Sequence, residues 1–543
     1  MSQLKSATQP SSRPNIILIM ADDLGYADIG CFGSEIQTPH LDQMAARGLR
    51  FTTMYNAARC CPTRASLLTG LYPHQTGVGH MIGNLGEPAY QGYLRDDCVT
   101  IAEVLQQAGY RTLMSGKWHV GGDYDARYLD AWTPGDATHP TPRQRGFDRF
   151  YGTLDGAGSF FHPHYLMEDD QRVSPNTDDY YITDAFTDKA VTMIEDAVQD
   201  EQPFFLYLAY TAPHWPLQAR PEEIAKYEGT YRQGWDAVRT ARHEEMLGMG
   251  LLDDQWQISP RDPNAPDWQD IPYQVWEDLR MAVYAAQVDR MDQGIGQIMA
   301  TLRRLAIDEN TLVVFLSDNG GCAEFLEEDG WARFYPDITP DGRRVRLGNL
   351  RDVKPGNDET FMSYDLPWAN VSNAPFRLYK RWVHEGGIAT PMVVHWPAVL
   401  DAGRIEPAPC HIIDLVPTFL EAAGVTYPTE YNNQAIQPLA GDSLIPLFQQ
   451  TGKLSERPLF WEHQGNCAIR LNEWKLVRGY EGPWELYNMD VDRTELHDLS
   501  QANQPKVTQL ASLYNDLAAQ CGVIDWRLLV DKFSTLYAGA TLK

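Results

Sequence analysis

Asp22, Asp23, Asp318 and Asn319 stand immediately after two short apolar runs, at 16–20 and 311–316. Three carboxylates and an amide, with no cysteine or histidine among them, make an oxygen-only set of the kind that hard cations prefer, Ca²⁺ first and Mg²⁺ second. A single Asp after a strand more often caps a helix or a turn. An Asp-Asp pair and an Asp-Asn-Gly-Gly after two buried-type runs favour a shared cation site instead. Lys117 and His119 follow another apolar run that ends at Met114, and His214 follows the run at 204–209. Taken singly, such a lysine reads as solvated and such histidines as hydrogen-bonded structural residues. In an open α/β sheet, however, the ligand crevice lies outside the carboxyl ends of the strands, so one pocket can collect residues this far apart in the chain.

The elements that must position them alternate. The runs at 16–20, 110–114, 204–209 and 311–316 are predicted as buried strands. Between them, Thr38-Pro39 opens a helix that Gly48 ends, and Thr100-x-x-Glu103 has the form of a capping box for a helix that stops near Gly109. Val288, Met291, Ile295, Ile298 and Leu302 mark a long helix by their three-and-four spacing. This alternation predicts an α/β fold: a large, mostly parallel or mixed sheet with helices on both faces. A Trp-, Pro- and Asp-rich stretch at about 220–272 interrupts it as an insertion. After Gly424 the units shorten, and 466–478 and 484–489 suit hairpins of a small C-terminal α+β domain with an antiparallel sheet. The expected division is a tail at 1–14, the α/β catalytic domain at 15–450 and the small domain at 451–543.

Composition narrows the partners. The 543 residues carry 73 acidic against 45 basic side chains, a formal charge of -28, which repels nucleic acid and anionic lipid at long range. No apolar run is long enough to span a bilayer. The polar N-terminus lacks a signal-peptide h-region, so the expectation is cytoplasmic, with the periplasm open for a chain stripped of its signal. Cysteines at 31, 60, 61, 98, 322, 410, 467 and 521 show no CxxC spacing and indicate neither a zinc site nor a disulfide scaffold. Oligomeric state is not legible.

One cysteine stands apart by its context. Cys60-Cys61-Pro62-Thr63-Arg64, continued to Thr69-Gly70, resembles the type I sulfatase signature C-x-P-x-R with its following T-G. In that signature the first Cys is converted to formylglycine by a maturation enzyme. The spacing selects Cys60 over Cys61, because Pro62 and Arg64 lie two and four positions after Cys60. Further segments are similar in family order: Gly70-x-Tyr72-Pro73-x-x-x-Gly77, Gly116-Lys117-Trp118-His119, Ala212-Pro213-His214-Trp215-Pro216, Asp318-Asn319-Gly320-Gly321 and Lys380 within 380–387. The segment at 484–499 resembles sulfatase C-terminal domains, and Tyr231-x-x-Gly234-Trp235-Asp236-x-x-Arg239 resembles the bacterial arylsulfatase branch.

The resemblance implies the fold of the alkaline-phosphatase-like superfamily and hydrolysis of sulfate monoesters, with aryl sulfates first. The hydrate of the aldehyde at 60 would attack sulfur with one hydroxyl and expel sulfate with the other. Arg64 would orient it, the cation on Asp22, Asp23, Asp318 and Asn319 would contact residue 60 and the sulfate, and Lys117 would bind sulfate oxygens. His119 would assist breakdown of the sulfated residue, and His214 with Lys380 would protonate the leaving group. Lys380 sits in the basic run 377–381, for which a solvated face is the competing reading. The partners implied are a sulfate ester and the maturation enzyme. A formylglycine-dependent phosphonate monoester or phosphodiester hydrolase, and a silent anion-binding relative, stay open.

Overall fold

The computed structural model describes residues 13–123, 134–175, 179–328 and 335–536. Its centre is one mixed sheet. The strands are β1 (Asn15–Ala21), β2 (Leu49–Tyr55), β3 (Arg111–Gly116), β4 (Arg149–Thr153), β5 (Leu166–Glu168), β6 (Gln171–Arg172), β7 (Phe204–Ala209), β8 (Thr311–Ser317), β9 (Ala389–His395), β10 (Arg404–Glu406) and β11 (Cys410–His411). They lie in the order β10-β2-β9-β8-β1-β7-β3-β4-β5-β6, with β11 also beside β2.

Strands β8, β1, β7, β3 and β4 are parallel. They are the continuous apolar runs expected of strands covered on both faces. Successive residues of β1 divide between the two sides. Ile17, Ile19 and Ala21 pack with helices α1 (Pro39–Ala46), α4 (Ile182–Gln199) and α5 (Gln274–Arg304). Ile16, Leu18 and Met20 pack with α2 (Cys60–Thr69), α3 (Ile101–Gln107) and α6 (Leu415–Ala423). The side-chain period of two is thus what gives the molecule two cores.

Register aligns the strand ends. Met20 pairs with Ala209, Ala21 with Ser317 and Gly116 with Ala209, so the residues that follow β1, β3, β7 and β8 emerge side by side. Strand β9 runs antiparallel to β8 and β2, with Ala389 opposite Tyr55. The segment entering β9, which carries Lys380, and the segment leaving β2, which carries Cys60, therefore meet at the same edge.

Local expectations shifted by a residue or two. The strand expected to end at Met114 runs on to Gly116, which puts Lys117 directly at its end. Thr100 and Glu103 form the expected capping box. Thr38 occupies the N-cap position of α1, but its hydroxyl accepts the Gly30 N–H at 2.7 Å and donates to Asp42 rather than capping the helix. The 220–272 stretch contains helices at Pro221–Ala225 and Trp235–Gly248. The expected tail at 1–14 falls, but for its last two residues, outside the described residues. Among those described, no helix is long and apolar enough to cross a membrane.

Near the C-terminus, β12 (Leu459–His463), β13 (Asn466–Leu471), β14 (Trp474–Arg478) and β15 (Glu485–Asn488) form an antiparallel meander, with α7 (Gln504–Cys521) against it. Its alternating residues join the two existing cores, Trp461 and Val477 in one, Phe460 and Leu476 in the other. Buried charge ties it down as well. Glu385 accepts from Lys475 at 2.8 Å, Arg493 at 3.0 Å and the Tyr55 hydroxyl at 3.0 Å, and Lys475 reaches Glu495 at 2.8 Å.

Two buried histidines make stability depend on acid. Burial pushes His80 and His411 down from 6.5 to about 3. Each is neutral when folded and takes up a proton on unfolding below pH 6.5, so the stability present above 6.5 is lost as pH falls towards about 3, by about 2 kcal/mol per histidine at pH 5. Asp292, raised to about 7 by burial, acts in the opposite direction, so the contrast between variants is the measurement. Urea unfolding of His411→Asn against wild type at pH 7 and pH 5 is expected to show a smaller acid-dependent loss in the variant; an equal loss would refute the assignment.

Candidate active site

All ten residues singled out from the sequence converge and are buried. Asp22 and Asp23 leave β1, Lys117 leaves β3, Asp318 and Asn319 leave β8, and His214 lies in the turn beyond β7. Cys60 is the first residue of α2, 2 % exposed, and Arg64 lies one turn further along the same helix. The Lys380 side chain is 3 % exposed. The solvated face open to it in a basic run is thereby excluded.

The contacts form one network. Arg64 donates to Asp318 Oδ2 from Nη2 at 2.8 Å and from Nε at 3.1 Å, and to the Lys117 carbonyl at 3.1 Å. The Lys117 ammonium pairs with Asp22 Oδ2. Asp318 Oδ1 accepts the Asp23 backbone N–H at 3.1 Å, and Asn319 Nδ2 donates to Asp23 Oδ1 at 2.6 Å. Lys380 Nζ donates to Asp23 Oδ2 at 2.8 Å and lies 3.4 Å from His214 Nε2. His214 Nδ1 is 2.6 Å from the Trp215 carbonyl oxygen. His119 Nε2 lies 3.5 Å from Cys61 Sγ.

Backbone strain accompanies this geometry. Asp23, His119 and Arg381 have φ of 64°, 55° and 85°, a left-handed conformation that costs a non-glycine residue about 1 kcal/mol or more. Gly320 is required for a different reason: a Cβ there would stand 1.9 Å from the Gly386 carbonyl oxygen, so the loop after β8 could not pack on the loop before β9.

Among the described residues, two buried oxygens at this site, Asp22 Oδ1 and Asn319 Oδ1, have no hydrogen-bond partner. Unpaired buried acceptors are costly. Next to Asp23 and Asp318 they are the hard donors a divalent cation takes, so the residues present fit a Ca²⁺ or Mg²⁺ ion. The charges agree. Burial pushes the Asp22 and Asp318 carboxyls up, against the pull of Lys117 and Arg64. At Asp23 burial also works upward, but Lys380 and His214 outweigh it and hold the group down. A dication shared among the three would keep all of them ionised. Burial also lowers His119 and His214 to about 4, leaving both imidazoles neutral near pH 7.

The site also contains residues that strand-end reasoning missed. Arg59, the N-cap of α2, donates to Glu324 Oε1 at 3.0 Å, and Trp215 Nε1 donates to Glu324 Oε2 at 3.1 Å. Burial would raise Glu324, but Lys380, Arg59 and His214 bring it down to about 2, a fixed negative charge at the rim. Glu324 lies five residues past Asn319 in an irregular segment, where no periodicity marks it. Tyr207, whose hydroxyl is 3.4 Å from Arg64, reads in sequence as one more core residue of β7. A cavity of about 360 Å³ lined by Tyr93, Arg95 and Gln434 involves none of the ten residues, so volume alone is a poor guide here.

A family model described as Sulfatase matches residues 14–425. The chain belongs to the sulfatase family. A second model, described as N-sulphoglucosamine sulphohydrolase, C-terminal, matches residues 376–520. The sulfatase is 35% identical over 449 residues to an arylsulfatase of Klebsiella aerogenes, covering 80% of this chain and 91% of the relative. It is 32% identical to an uncharacterized sulfatase of Schizosaccharomyces pombe, covering 95% of each. Among solved structures it is similar to Ps i-CgsB in complex with k-i-k-neocarrahexaose, with a TM-score of 0.66 and 28% identity over 96% of this chain and 99% of that one. Its reaction class is the hydrolysis of sulfate esters.

The unpartnered oxygens generate a direct test. Thermal melting of the stripped sulfatase is expected to rise as Ca²⁺ is added, and Mg²⁺ is expected to do so less effectively, because a ligand that binds only the folded state stabilises it. Asp22→Asn and Asn319→Ala are each expected to weaken that response by tenfold or more in cation concentration. An unchanged response in both variants would place the cation elsewhere.

Proposed function

We propose that this sulfatase hydrolyses sulfate monoesters, aryl sulfates foremost, with formylglycine at position 60 as nucleophile. The observation that carries this reading is the setting of Cys60. It is buried at the N-terminus of α2, whose helix dipole favours an anion, within electrostatic reach of Lys117, His119 and Lys380. An aldehyde hydrate there supplies both a nucleophilic hydroxyl and a second hydroxyl that can expel sulfate. Asp22, Asp23, Asp318 and Asn319 would hold Ca²⁺, or Mg²⁺, which supplies charge neutralisation for the sulfate and polarises the nucleophile.

The chain's own residues divide the remaining work. Arg64 is locked on Asp318 and the Lys117 carbonyl, which suits it to orient residue 60 rather than to move. Lys117, buried beside residue 60 and paired with Asp22, would offset the negative charge of the sulfate oxygens. Neutral His119 accepts the proton whose removal releases sulfate from residue 60. His214 and Lys380 serve the leaving group in sequence. With Nδ1–H donated to the Trp215 carbonyl, Nε2 is left as an acceptor facing Lys380, so the proton comes from the Lys380 ammonium and His214 positions it.

An aromatic group borders the leaving-group side. Trp215 lies edge-on to Tyr335 and Phe361, with ring centroids 5.8 and 5.9 Å away, and Tyr335 stacks on Phe361 at 4.7 Å. Such a surface suits a phenol, and the 35% identical relative named arylsulfatase supports the same preference.

Peptide mass analysis is expected to show the Cys60 side chain as CHO or its hydrate, and Cys60→Ala is expected to reduce sulfate release to background. Full activity with Cys60 unmodified would defeat the nucleophile assignment. A matched panel of aryl sulfate, sugar sulfate, phosphonate monoester and phosphate diester is expected to give the highest kcat/KM for the aryl sulfate. A preference for phosphorus by orders of magnitude would assign the chain to a phosphonate or phosphodiester hydrolase instead.

A further inference from the structure

Cys61 has no part in the chemistry proposed above, yet it is buried at the reaction centre. Its Sγ lies 3.5 Å from His119 Nε2 and 3.7 Å from His119 Nδ1, and the ligand atoms of Cys60, Cys61 and His119 all lie within 4.8 Å of one another. The three residues are held independently of any metal. Cys60 and Cys61 open α2, which is buried along its whole length, and His119 is fixed in a left-handed backbone conformation with Gly156 packed against its ring.

Two sulfurs and one imidazole form a soft set, chemically opposite to the oxygen set at the ends of β1 and β8. Tetrahedral zinc, with Zn–S near 2.3 Å and Zn–N near 2.0 Å, spans an S···N edge of about 3.5 Å; Cys61 Sγ, at 3.5 and 3.7 Å from the two ring nitrogens, sits over the imidazole, and a turn of the ring about Cβ–Cγ would aim Nε2 at the metal.

We propose that the chain with Cys60 still a cysteine carries a second metal site, a Cys60–Cys61–His119 site for Zn²⁺ beside the carboxylate cluster. Binding replaces two S–H bonds by two Zn–S bonds and releases two protons to solvent, with no change in oxidation state. Conversion of residue 60 removes one of the two sulfurs and with it the site, so zinc held here marks unconverted protein and occupies the place where sulfate would bind. The statements that conversion abolishes the site and that zinc occupies the place of sulfate rest on the function proposed above; the site itself belongs to the thiol form.

The test uses full-length protein whose Cys60 is shown by mass to be intact, stripped of metal and titrated with Zn²⁺ against a chromophoric chelator in excess Ca²⁺. One Zn²⁺ per chain is expected, and Co²⁺ in its place is expected to give a thiolate charge-transfer band. Cys61→Ser should weaken zinc about a hundredfold or more and remove the band, while Arg304→Gln, a surface change whose partner is Glu195, should leave zinc binding within about twofold. Circular dichroism of Cys61→Ser separates loss of the site from loss of the fold. Zinc affinity unchanged in Cys61→Ser, or equally lost in Arg304→Gln, overturns the proposal. Absence of the aldehyde from all preparations would defeat the nucleophile reading and leave this titration intact.

Discussion

Asp22, Asp23 and Asp318 are three carboxylates buried together, and most of the surrounding structure answers the cost of that burial. An ion withdrawn from water without compensation costs several kcal/mol. Arg64 meets Asp318 with two nitrogens, Lys117 meets Asp22 and Lys380 meets Asp23, each from a different part of the chain. The two acceptors left over, Asp22 Oδ1 and Asn319 Oδ1, point to a cation as the remaining compensation. The parallel register of β1, β3, β7 and β8 places these groups on one level, and the antiparallel β9 brings Lys380 to them. A sheet of another register would leave the same residues as separate, unpaired charges.

The large sheet and seven of the ten converging residues are legible in the sequence from local patterns, whereas Cys60, Arg64 and Lys380 are reached only through the family resemblance. Continuous apolar runs mark strands buried on both faces, and several polar residues gathered at their carboxyl ends fall where an α/β sheet opens its ligand crevice. Arg59 and Glu324 escaped because their pairing joins an N-cap to an irregular segment 265 residues away, and nothing periodic announces it. Thr38 takes the N-cap position of α1 without capping the helix. A hydroxyl at an N-cap can equally serve a neighbouring loop, and the Gly30 N–H at 2.7 Å takes it. Lys380 was ambiguous within its basic run, since charge density reveals nothing of which lysine turns inward.

The C-terminal meander is more than an appendage. Its two faces continue the two cores of the main sheet, and Lys475 and Arg493 hold Glu385, five residues from Lys380. Removing one partner of such a buried cluster costs about 3–5 kcal/mol, because the others stay buried and unpaired. Placement of Lys380 at Asp23 therefore depends on residues more than ninety positions further along the chain.

That order of assembly bears on when Cys60 can be reached. In the finished molecule it is 2 % exposed and lies within electrostatic reach of Lys380 in the loop before β9 and of Asp318 just after β8. During synthesis at about 5–20 residues per second, Cys60 precedes Asp318 by roughly 13–50 s and Lys380 by somewhat longer. Any enzyme that alters its sulfur has that interval, while α2 has no lid, and little afterwards. On the nucleophile proposed above, the fraction of sulfatase that becomes active would then be set by a race between translation and modification, with slow codons between positions 60 and 318 shifting the balance without changing a single residue.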